Sequence, residues 1–355
     1  MSMNRRELVR IIGGAAGALV FWQSLGAWQG PPSRRQVSIG GKRVRVIDGH
    51  AHCIIPVQHV TKGTPLEKMG GGGGNNLLGP ERIAIMDRQG VDVQALTINN
   101  FWWYAADVDL ARKIVLAQNE GLAQWVAKHP DRFVATASVA LQHPELAAEQ
   151  LQDGVTRLGL RGASIGGHVN GEDLSLPKYD PFWAKAAALG VPVFMHPNGS
   201  ENIVKEGAFR GRGDLGNIIG NPLETTYFLS RLIFDGTFDK FPALTVVAAH
   251  AGGYLPSYFG RTEAACEYRG NAKCANKRKP SEYLRSNIVI DTMVFSDEGL
   301  RHLVAEAGIG QVVYGTDVPF NWPVTVDLVL NAKFLSDEEK TAVLSTNLMR
   351  LLRIK

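Results

Sequence analysis

Cysteine is scarce in this sequence, and its scarcity excludes small proteins that are held together by disulfides or by cysteine-bound zinc. Only three cysteines occur in 355 residues, Cys53, Cys266 and Cys274, at irregular spacing and without a Cys-x-x-Cys pair. Cys266 and Cys274 could pair in an oxidising compartment, but two free thiols are the favoured alternative. A chain of this length can instead bury a large hydrophobic core.

Dense clusters of basic residues are also missing, which argues against a nucleic-acid interface. The formal net charge of the chain is +4, but Arg5, Arg6 and Arg10 against Glu7 supply +2 of it within the first thirty residues. The remaining basic residues are scattered among acidic ones. The expected partner is therefore a small molecule and not a nucleic acid.

Long apolar runs are missing after the first thirty residues. Residues 4–10 read NRRELVR and resemble a twin-arginine export signal, and an uncharged run rich in glycine, alanine and leucine follows at 11–28. A helix tip with two chance arginines is the alternative. Residues 1–30 are thus predicted to be an export signal that leads to the periplasm. Because no A-x-A cleavage site is visible, an uncleaved segment that anchors the protein in the membrane is a further alternative.

Short apolar runs alternate with amphipathic patterns after a Gly/Pro-rich linker at 31–42. With 45% hydrophobic and 20% charged residues, the composition is typical of a globular enzyme. The predicted strands are 43–52, 93–98, 133–138, 162–165, 192–195, 244–249, 287–291 and 311–315. Eight strands separated by helices predict an α/β fold, a single-domain (β/α)₈ TIM-like barrel over residues 43–355.

Histidine and aspartate side chains follow several of these strands. His50 and His52 end the first strand, and residues two apart point to the same side of an extended chain, so the two imidazoles can converge on one ion. His196 follows the fifth strand, His250 the sixth and Asp317 the eighth. Because the carboxyl ends of all barrel strands share one face, these five residues are expected around a single mouth.

The residue types at this mouth point to a metal site. Three neutral imidazoles and a carboxylate, from His50, His52, His196 and Asp317, suit zinc or a similar divalent ion, which can lower the pKa of a bound water towards ~7. His250 remains as an acid–base histidine, free of the metal and within reach of that water. The predicted cofactor is one divalent ion, Zn²⁺ before others.

Two further residues have alternative interpretations. Asp291 closes the seventh strand and could orient a water or His250, or simply cap the strand. His168 follows the fourth strand in the sequence IGGH and could be an extra ligand, although a loop histidine is favoured. No bridging carboxylate or lysine stands at that strand end, so a single metal ion is predicted.

Four motifs resemble those of the amidohydrolase superfamily. They are HAH at the first strand, MHPN at His196, AHAGGYLPSYFGR at 249–261 and YGTDVPF at Asp317. The segments GHVN at 167–170, PLETT at 222–226 and FDKFP at 238–242 resemble the branch that contains aminocarboxymuconate-semialdehyde decarboxylase. The resemblance covers nearly the whole chain after the signal.

The resemblance implies a mononuclear zinc site on the four ligands and a catalytic His250. It also implies that Arg261 reaches into a neighbouring subunit to bind the substrate carboxylate, which would make the protein a homodimer. An arginine that caps its own helix is the alternative. The implied reaction is non-oxidative, with proton transfer to the carbon that bears the carboxylate and loss of CO₂, and it needs no organic cofactor.

The substrate is less closely defined than the reaction. An arginine that the family's decarboxylase carries before its first helix has no clear counterpart here, where only Lys68 and Arg82 flank the gap. Trp102 and Trp103 follow the second strand and would favour a flat, conjugated acid by stacking and apolar contact. A hydrophobic plug or a subunit contact is the alternative for this aromatic pair.

The sequence therefore predicts a metal-dependent, non-oxidative decarboxylase of an unsaturated or aromatic carboxylic acid, which uses a metal-activated water and His250. The enzymatic alternative is a hydrolase that uses the same water on an amide, ester or lactone. A third hypothesis is a binding protein that has kept the metal but lost turnover. The presence of His250 argues against it.

Overall fold

Eight parallel strands form a closed ring at the centre of the protein. The computed structural model describes residues 34–71, 76–99, 102–200 and 202–355. The barrel strands are Ile47–His52, Val93–Thr97, Phe133–Ala135 with Ala137–Ser138, Ala163–Ile165, Val193–Met195, Val246–Ala248, Ile288–Asp291 and Val312–Val313. The ring closes between the eighth and first strands, where the His52 N–H donates to Val318 O at 2.8 Å and the Asp317 N–H donates to His50 O at 2.9 Å. The predicted (β/α)₈ barrel is confirmed, whereas the predicted export signal lies outside the described residues.

The third strand is the least regular member of the ring. It is divided at Thr136, whose N–H donates to Leu96 O of the second strand at 3.0 Å. The next residue, Ala137, donates its N–H to Gly162 O at 2.8 Å, towards the fourth strand. The two halves therefore connect the strands on either side, and the ring stays continuous.

Helices connect successive barrel strands, and several of their ends follow from residues in the sequence. Asp107 and Ser296 each accept a hydrogen bond from a backbone N–H in the first turn of a helix. Gly90 and Gly190 adopt the left-handed conformation that ends two others. The helices are Gln58–Thr61, Pro80–Gln89, Val108–Lys128, Pro144–Thr156, Asp180–Leu189, Asn221–Phe234, Thr237–Lys240, Phe259–Tyr268, Pro280–Leu284, Asp297–Ala307, Val326–Asn331, Asp337–Thr341 and Asn347–Leu352.

The segment that follows the sixth strand has an unusual backbone conformation. Residues 250–253 have positive φ angles of 54°, 60°, 72° and 67°, so the chain turns sharply there and does not enter a helix. The helix Phe259–Tyr268 begins only after the short 3₁₀ turn Pro256–Tyr258. This sharp turn follows directly from the sixth strand and contains His250.

A disulfide joins Cys266 and Cys274, so the favoured expectation of two free thiols is wrong. The helix Phe259–Tyr268 ends just after Cys266, and the turn Gly270–Ala272 sends the chain back with a left-handed Lys273. The two Cα atoms then lie 5.8 Å apart, a distance that suits a disulfide. The spacing of cysteines along a sequence does not reveal such a turn.

A hairpin of two short strands, Ser38–Ile39 and Lys42–Arg43, precedes the barrel and lies in the segment predicted to be a linker. Its Arg43 guanidinium contacts the Asp92 carboxylate at 2.6 Å. The compact unit spans Arg35–Lys355 and so includes this hairpin.

Apolar side chains fill the amino-terminal end of the barrel. The helix Asn347–Leu352 packs there through Leu348 and Leu352. The cluster comprises Ile47, Val93, Ala95, Phe194, Val247, Val289, Val313, Leu348 and Leu352. The polar residues that follow the strands therefore lie at the opposite, carboxyl-terminal end. Within the part of the chain that the structure describes, no helix combines the length and apolarity needed to cross a bilayer.

Candidate metal centre and acid–base site

The first strand delivers two imidazoles to the carboxyl-terminal end of the barrel. His50 and His52 belong to the strand Ile47–His52, and both side chains are buried. Their ring centroids lie 5.4 Å apart with the rings stacked. The alternation of an extended chain therefore brings the two rings together, as predicted.

His196 and Asp317 complete the cluster from the fifth and eighth strands. The His196 ring centroid lies 4.5 Å from that of His52. Asp317 Oδ1 lies 3.1 Å from His50 Nε2 and 2.9 Å from His52 Nε2. One donor atom from each of the four residues lies within 4.8 Å of the other three. The structure thus gathers all four predicted ligands.

The facing atoms of this cluster are suited to a cation. Nε2 of His50, Nε2 of His52 and Oδ1 of Asp317 are buried, and among the described residues they have no hydrogen-bond partner. Burial of unpaired polar atoms is costly unless a ligand satisfies them. Three imidazole nitrogens and one carboxylate oxygen match the donor number and kinds that a zinc-type divalent ion takes. The four residues therefore fit a metal ion.

Hydrogen bonds on the far side of two rings fix their orientation. His50 Nδ1 lies 2.7 Å from Asp291 Oδ2. His196 Nδ1 lies 2.9 Å from the backbone oxygen of Pro197, to which it can donate. In each ring this contact occupies Nδ1, leaves Nε2 as the ligand atom and raises its basicity.

Asp291 connects the metal cluster with the turn that carries His250. Besides His50, its carboxylate accepts hydrogen bonds from the backbone N–H groups of His250 at 3.0 Å, Ala251 at 2.8 Å and Met293 at 3.1 Å. Of the roles left open by the sequence, the structure supports the orientation of His250, through its backbone. Sequence reasoning missed the contact with His50, because no spacing rule links residues 241 positions apart.

His250 stands beside the four ligands. Its ring centroid lies 5.1 Å from that of His50 and 5.0 Å from that of His196. Its Nε2 is 3.7 Å from Asp317 Oδ2, and its Nδ1 is buried without a hydrogen-bond partner among the described residues. Its side chain is 15% exposed, more than those of His50 and His52, which fits a group that must meet a substrate.

Burial and the two carboxylates shift the imidazole pKa values in opposite directions. Burial is the main cause that lowers the pKa of His52 to about 4 and the pKa of His196 well below its ordinary value. Burial also opposes charge on His50, but Asp317 and Asp291 outweigh it and raise the pKa of His50 to about 10. The histidines lower the pKa of Asp317 although burial opposes them. Without metal at neutral pH, the ionised Asp317 carboxylate therefore lies 3.1 Å from a protonated His50 ring.

Aromatic side chains after the seventh and eighth strands line the cluster. The Phe320 ring lies edge-on to His52 with 5.1 Å between centroids. Trp322 Nε1 donates to Asp317 Oδ2 at 2.9 Å, and its ring stacks on Phe295 at 5.0 Å. Sequence reasoning missed this set. Its only signal was two aromatic residues three and five positions after a predicted ligand.

The structure separates the two tryptophans predicted to contact substrate. Trp102 follows the second strand, and its indole reaches the fourth strand, where its Nε1 donates to Ser164 O at 3.1 Å. Trp103 has a φ of 58° and packs into a different apolar cluster with Val57 and Leu66. Trp103 is therefore not brought into the site, because the left-handed backbone turns it away from its neighbour.

The third predicted substrate residue, Arg261, is exposed on the helix Phe259–Tyr268. The two basic residues that flank the expected arginine position differ in burial. Arg82 is buried, and its guanidinium donates to His52 O at 2.5 Å, while Lys68 is exposed. The substrate-binding role of Arg261 remains a prediction.

Glu224 and His168 hold the loop that follows His196 through hydrogen bonds with its backbone. Glu224 is buried and accepts hydrogen bonds from the backbone N–H groups of Asn198, Gly199 and Gly167. His168 contacts Gly199 O through one ring nitrogen at 2.9 Å and accepts from a backbone N–H through the other at 3.0 Å. Both ring nitrogens of His168 are thus engaged with backbone, so the structure favours a loop histidine over an extra ligand.

Comparison with known proteins assigns the family. Residues 47–354 match the family model described as Amidohydrolase. The chain is 33% identical over 276 residues to 2-amino-3-carboxymuconate-6-semialdehyde decarboxylase of Dictyostelium discoideum, a match that covers 76% of this chain and 75% of that protein. The chain therefore belongs to the amidohydrolase superfamily, in the branch that contains this decarboxylase.

Solved structures agree with this assignment. The 5-carboxyvanillate decarboxylase of Sphingomonas paucimobilis superimposes with a TM-score of 0.78 at 27% identity, covering 88% of this chain and 100% of that one. A dihydroxybenzoic acid decarboxylase of Polaromonas sp., with bound manganese and 2-nitroresorcinol, gives 0.76 at 27% identity, covering 88% and 97%. These relatives confirm the prediction of an amidohydrolase-superfamily enzyme in which a carboxy-lyase reaction is favoured over hydrolysis. The bound manganese supports a divalent ion as cofactor.

Proposed function

We propose that the protein is a metal-dependent, non-oxidative decarboxylase of an aromatic or otherwise conjugated carboxylic acid. The observation that carries the proposal is the convergence of His50, His52, His196 and Asp317 on one point, with His250 standing free beside them. Relatives that are named as decarboxylases of 5-carboxyvanillate and dihydroxybenzoate support an aromatic acid. Phe320, next to His52, would give such a ring an apolar surface to meet.

Zinc is our proposal for the bound ion, because three imidazoles and one carboxylate are donors that zinc prefers. Manganese, present in the Polaromonas relative, is the competing ion. When bound, either ion would act as a Lewis acid on an oxygen of the substrate or of water. Elemental analysis of the purified protein distinguishes the two ions.

The residues around the metal would have separate roles in proton transfer. Loss of CO₂ breaks the bond between the ring carbon and the carboxyl carbon, and the electron pair of that bond stays on the ring carbon. That carbon must take up a proton, and His250 is the imidazole available to deliver it. Asp291 holds the backbone of His250 and orients His50 at the same time.

The competing activity is hydrolysis of an amide, ester or lactone by the same site. The test is to incubate the metal-loaded protein with 5-carboxyvanillate and 2,6-dihydroxybenzoate and to measure CO₂ and the decarboxylated product. A parallel assay uses an aromatic amide and an aromatic lactone of similar size. CO₂ release without hydrolysis is the expected result, and hydrolysis without CO₂ release would overturn the proposal. Protein stripped of metal by a chelator is the control.

We also propose that the protein works outside the cytoplasm, exported through the signal predicted at 1–30. The Cys266–Cys274 disulfide supports this proposal, because such bonds persist in oxidising compartments. Alkylation of the denatured but unreduced protein, followed by mass spectrometry, should modify Cys53 alone in material from an exporting host. Three modified cysteines in that material would contradict export.

The homodimer implied by Arg261 remains part of the proposal. The Arg261 side chain is exposed, so it could reach the substrate site of a partner subunit. Sedimentation of the native protein tests the dimer, and an Arg261→Ala variant tests the role. A raised KM for the acid with an unchanged metal content is expected, while an unchanged KM would remove Arg261 from the substrate site.

A further inference from the structure

The two carboxylate oxygens of Asp317 have different surroundings. Oδ1 faces the imidazoles, at 3.1 Å from His50 Nε2 and 2.9 Å from His52 Nε2, and has no hydrogen-bond partner among the described residues. Oδ2 accepts the indole N–H of Trp322 at 2.9 Å, and His250 Nε2 lies farther from it, at 3.7 Å. One oxygen is therefore open to a cation and the other is already occupied.

A short turn and an aromatic neighbour hold Trp322 in this position. The Phe320 N–H donates to Asp317 O and the Trp322 N–H donates to Phe320 O, both at 3.0 Å, so the chain folds back on the carboxylate within five residues. The indole ring stacks on Phe295 at 5.0 Å with 24° between the planes. The direction of the indole N–H is thus set by the backbone on one side and by ring packing on the other.

We propose that Trp322 is a positioning residue that presents Asp317 to the metal through Oδ1 alone, by occupying Oδ2. The inference rests on the divalent metal site of the proposed function. The hydrogen bond also affects His250, because the indole N–H occupies the Asp317 oxygen that His250 would otherwise approach. Trp322 thereby helps to keep the acid–base imidazole available to substrate.

Loss of the indole N–H should therefore change metal binding in a way that loss of ring packing alone would not. Without this donor the carboxylate can turn, and then both oxygens can face the ion or Oδ2 can pair with His250. Outer hydrogen bonds of this kind typically contribute about 10–100-fold to metal affinity. We expect a loss within that range for a variant that lacks the N–H but keeps an aromatic ring.

The experiment compares Trp322→Phe with Trp183→Phe. Both substitutions delete one indole N–H hydrogen bond and keep an aromatic ring, but Trp183 donates to Leu174 O at 2.8 Å in the buried core. Zinc affinity is measured by competition with a coloured chelator, and folding by circular dichroism and thermal unfolding. Trp322→Phe should bind zinc about 10–100-fold more weakly and unfold near the native temperature. Trp183→Phe should unfold at a lower temperature and bind zinc as the native protein does.

A spectroscopic measurement distinguishes positioning from general loosening of the site. Cobalt(II) in place of zinc absorbs visible light with an intensity that falls as its coordination number rises. Trp322→Phe should change this absorption because Asp317 can then offer two oxygens, whereas Trp183→Phe should leave it unchanged. Phe295→Leu removes the stacking and keeps the N–H, so it should give a smaller loss of zinc affinity than Trp322→Phe.

Native zinc affinity together with a native cobalt spectrum in Trp322→Phe would overturn the inference. An equal loss of affinity in Trp183→Phe would overturn it too, because the effect would then be general. Metal affinity is measured without turnover, so the result is independent of the reaction. A native protein that binds zinc tightly but releases no CO₂ from any acid would refute the proposed function and leave the role of Trp322 standing.

Discussion

Asp291 Oδ2 lies 2.7 Å from Nδ1 of His50, and the same carboxylate accepts the backbone N–H of His250. One side chain at the end of the seventh strand thus orients a predicted metal ligand and the predicted acid–base residue. The carboxylate is buried, and the facing histidines lower its pKa although burial opposes them. Asp291 therefore remains an acceptor throughout the neutral range.

Asp291→Asn should weaken metal binding and slow turnover together. The amide keeps the size of the carboxylate but removes its charge, so it holds His50 Nδ1 and the His250 turn less firmly. A loss of about 10–100-fold in zinc affinity is expected from a contact of this kind. The measurement is chelator competition followed by steady-state kinetics at saturating metal.

The matched control for that variant is Asp239→Asn. Asp239 accepts hydrogen bonds from the Lys277 N–H and the Tyr283 hydroxyl, away from the cluster. It should change stability and leave zinc affinity unchanged. Equal zinc affinity in Asp291→Asn and the native protein would show that Asp291 only caps its strand.

His250→Ala should keep the metal and lose turnover. His250 is not among the four residues whose donor atoms converge, so its removal deletes proton transfer and leaves coordination intact. A fall in kcat of about 10²–10⁴-fold is the usual size for a general acid–base group. Metal content by elemental analysis and kcat by product formation are measured on the same preparation.

His302→Ala serves as the control, because His302 is a part-buried histidine that contacts Pro256 O at 3.0 Å, outside the cluster. It should retain both metal and turnover. If His250→Ala lost its metal, His250 would have to be counted as a ligand.

Asp317→Ala should lower metal occupancy. It removes the carboxylate that supplies the only oxygen donor among the four convergent residues. Exposed Asp297→Ala, which removes only a surface contact with Arg301 at 3.4 Å, is the control. Elemental analysis after dialysis is the measurement, and full occupancy in Asp317→Ala would remove this residue from the coordination sphere.

Metal uptake should release a proton at pH 6, below the pKa of about 7 that a metal-bound water can reach. The pKa of His50 is raised to about 10 in the metal-free cluster, whereas the pKa of His52 is lowered to about 4 and the pKa of His196 is also lowered. Only His50 therefore carries a proton that a cation must displace, so about one proton should leave per ion. The apparent metal affinity should then rise with pH as long as the pH stays below the pKa of His50.

Calorimetric titration in buffers of different ionisation enthalpy measures this release. Release of almost no proton at pH 6 would show that His50 is already neutral in the metal-free protein. Release of about two protons per ion would show that another imidazole is protonated as well.

The fold and the four ligands could be predicted because each depends on a local pattern. Short apolar strands alternate with helices, and a barrel of that order brings His50, His196 and Asp317 to one end although they are far apart in sequence. The alternation within one strand was sufficient to place His50 beside His52.

The remaining features depend on turns that leave no periodic signal. The left-handed backbone at Trp103 moves that ring into a separate cluster, and the return of the chain after Tyr268 brings Cys266 to Cys274. The contact from Trp322 to Asp317 likewise depends on a tight turn within five residues. Such contacts become visible only when the path of each loop is known.

We expect one cation to bind between three imidazoles and Asp317 Oδ1, with His250 outside its coordination. Anomalous diffraction at the zinc edge, from crystals of zinc-loaded protein, locates the ion and its ligands. A single anomalous peak is expected at bonding distance from His50, His52, His196 and Asp317, and not from His250. No peak at this position, a second peak beside it, or a peak bonded to His250 in place of one of the four would contradict it.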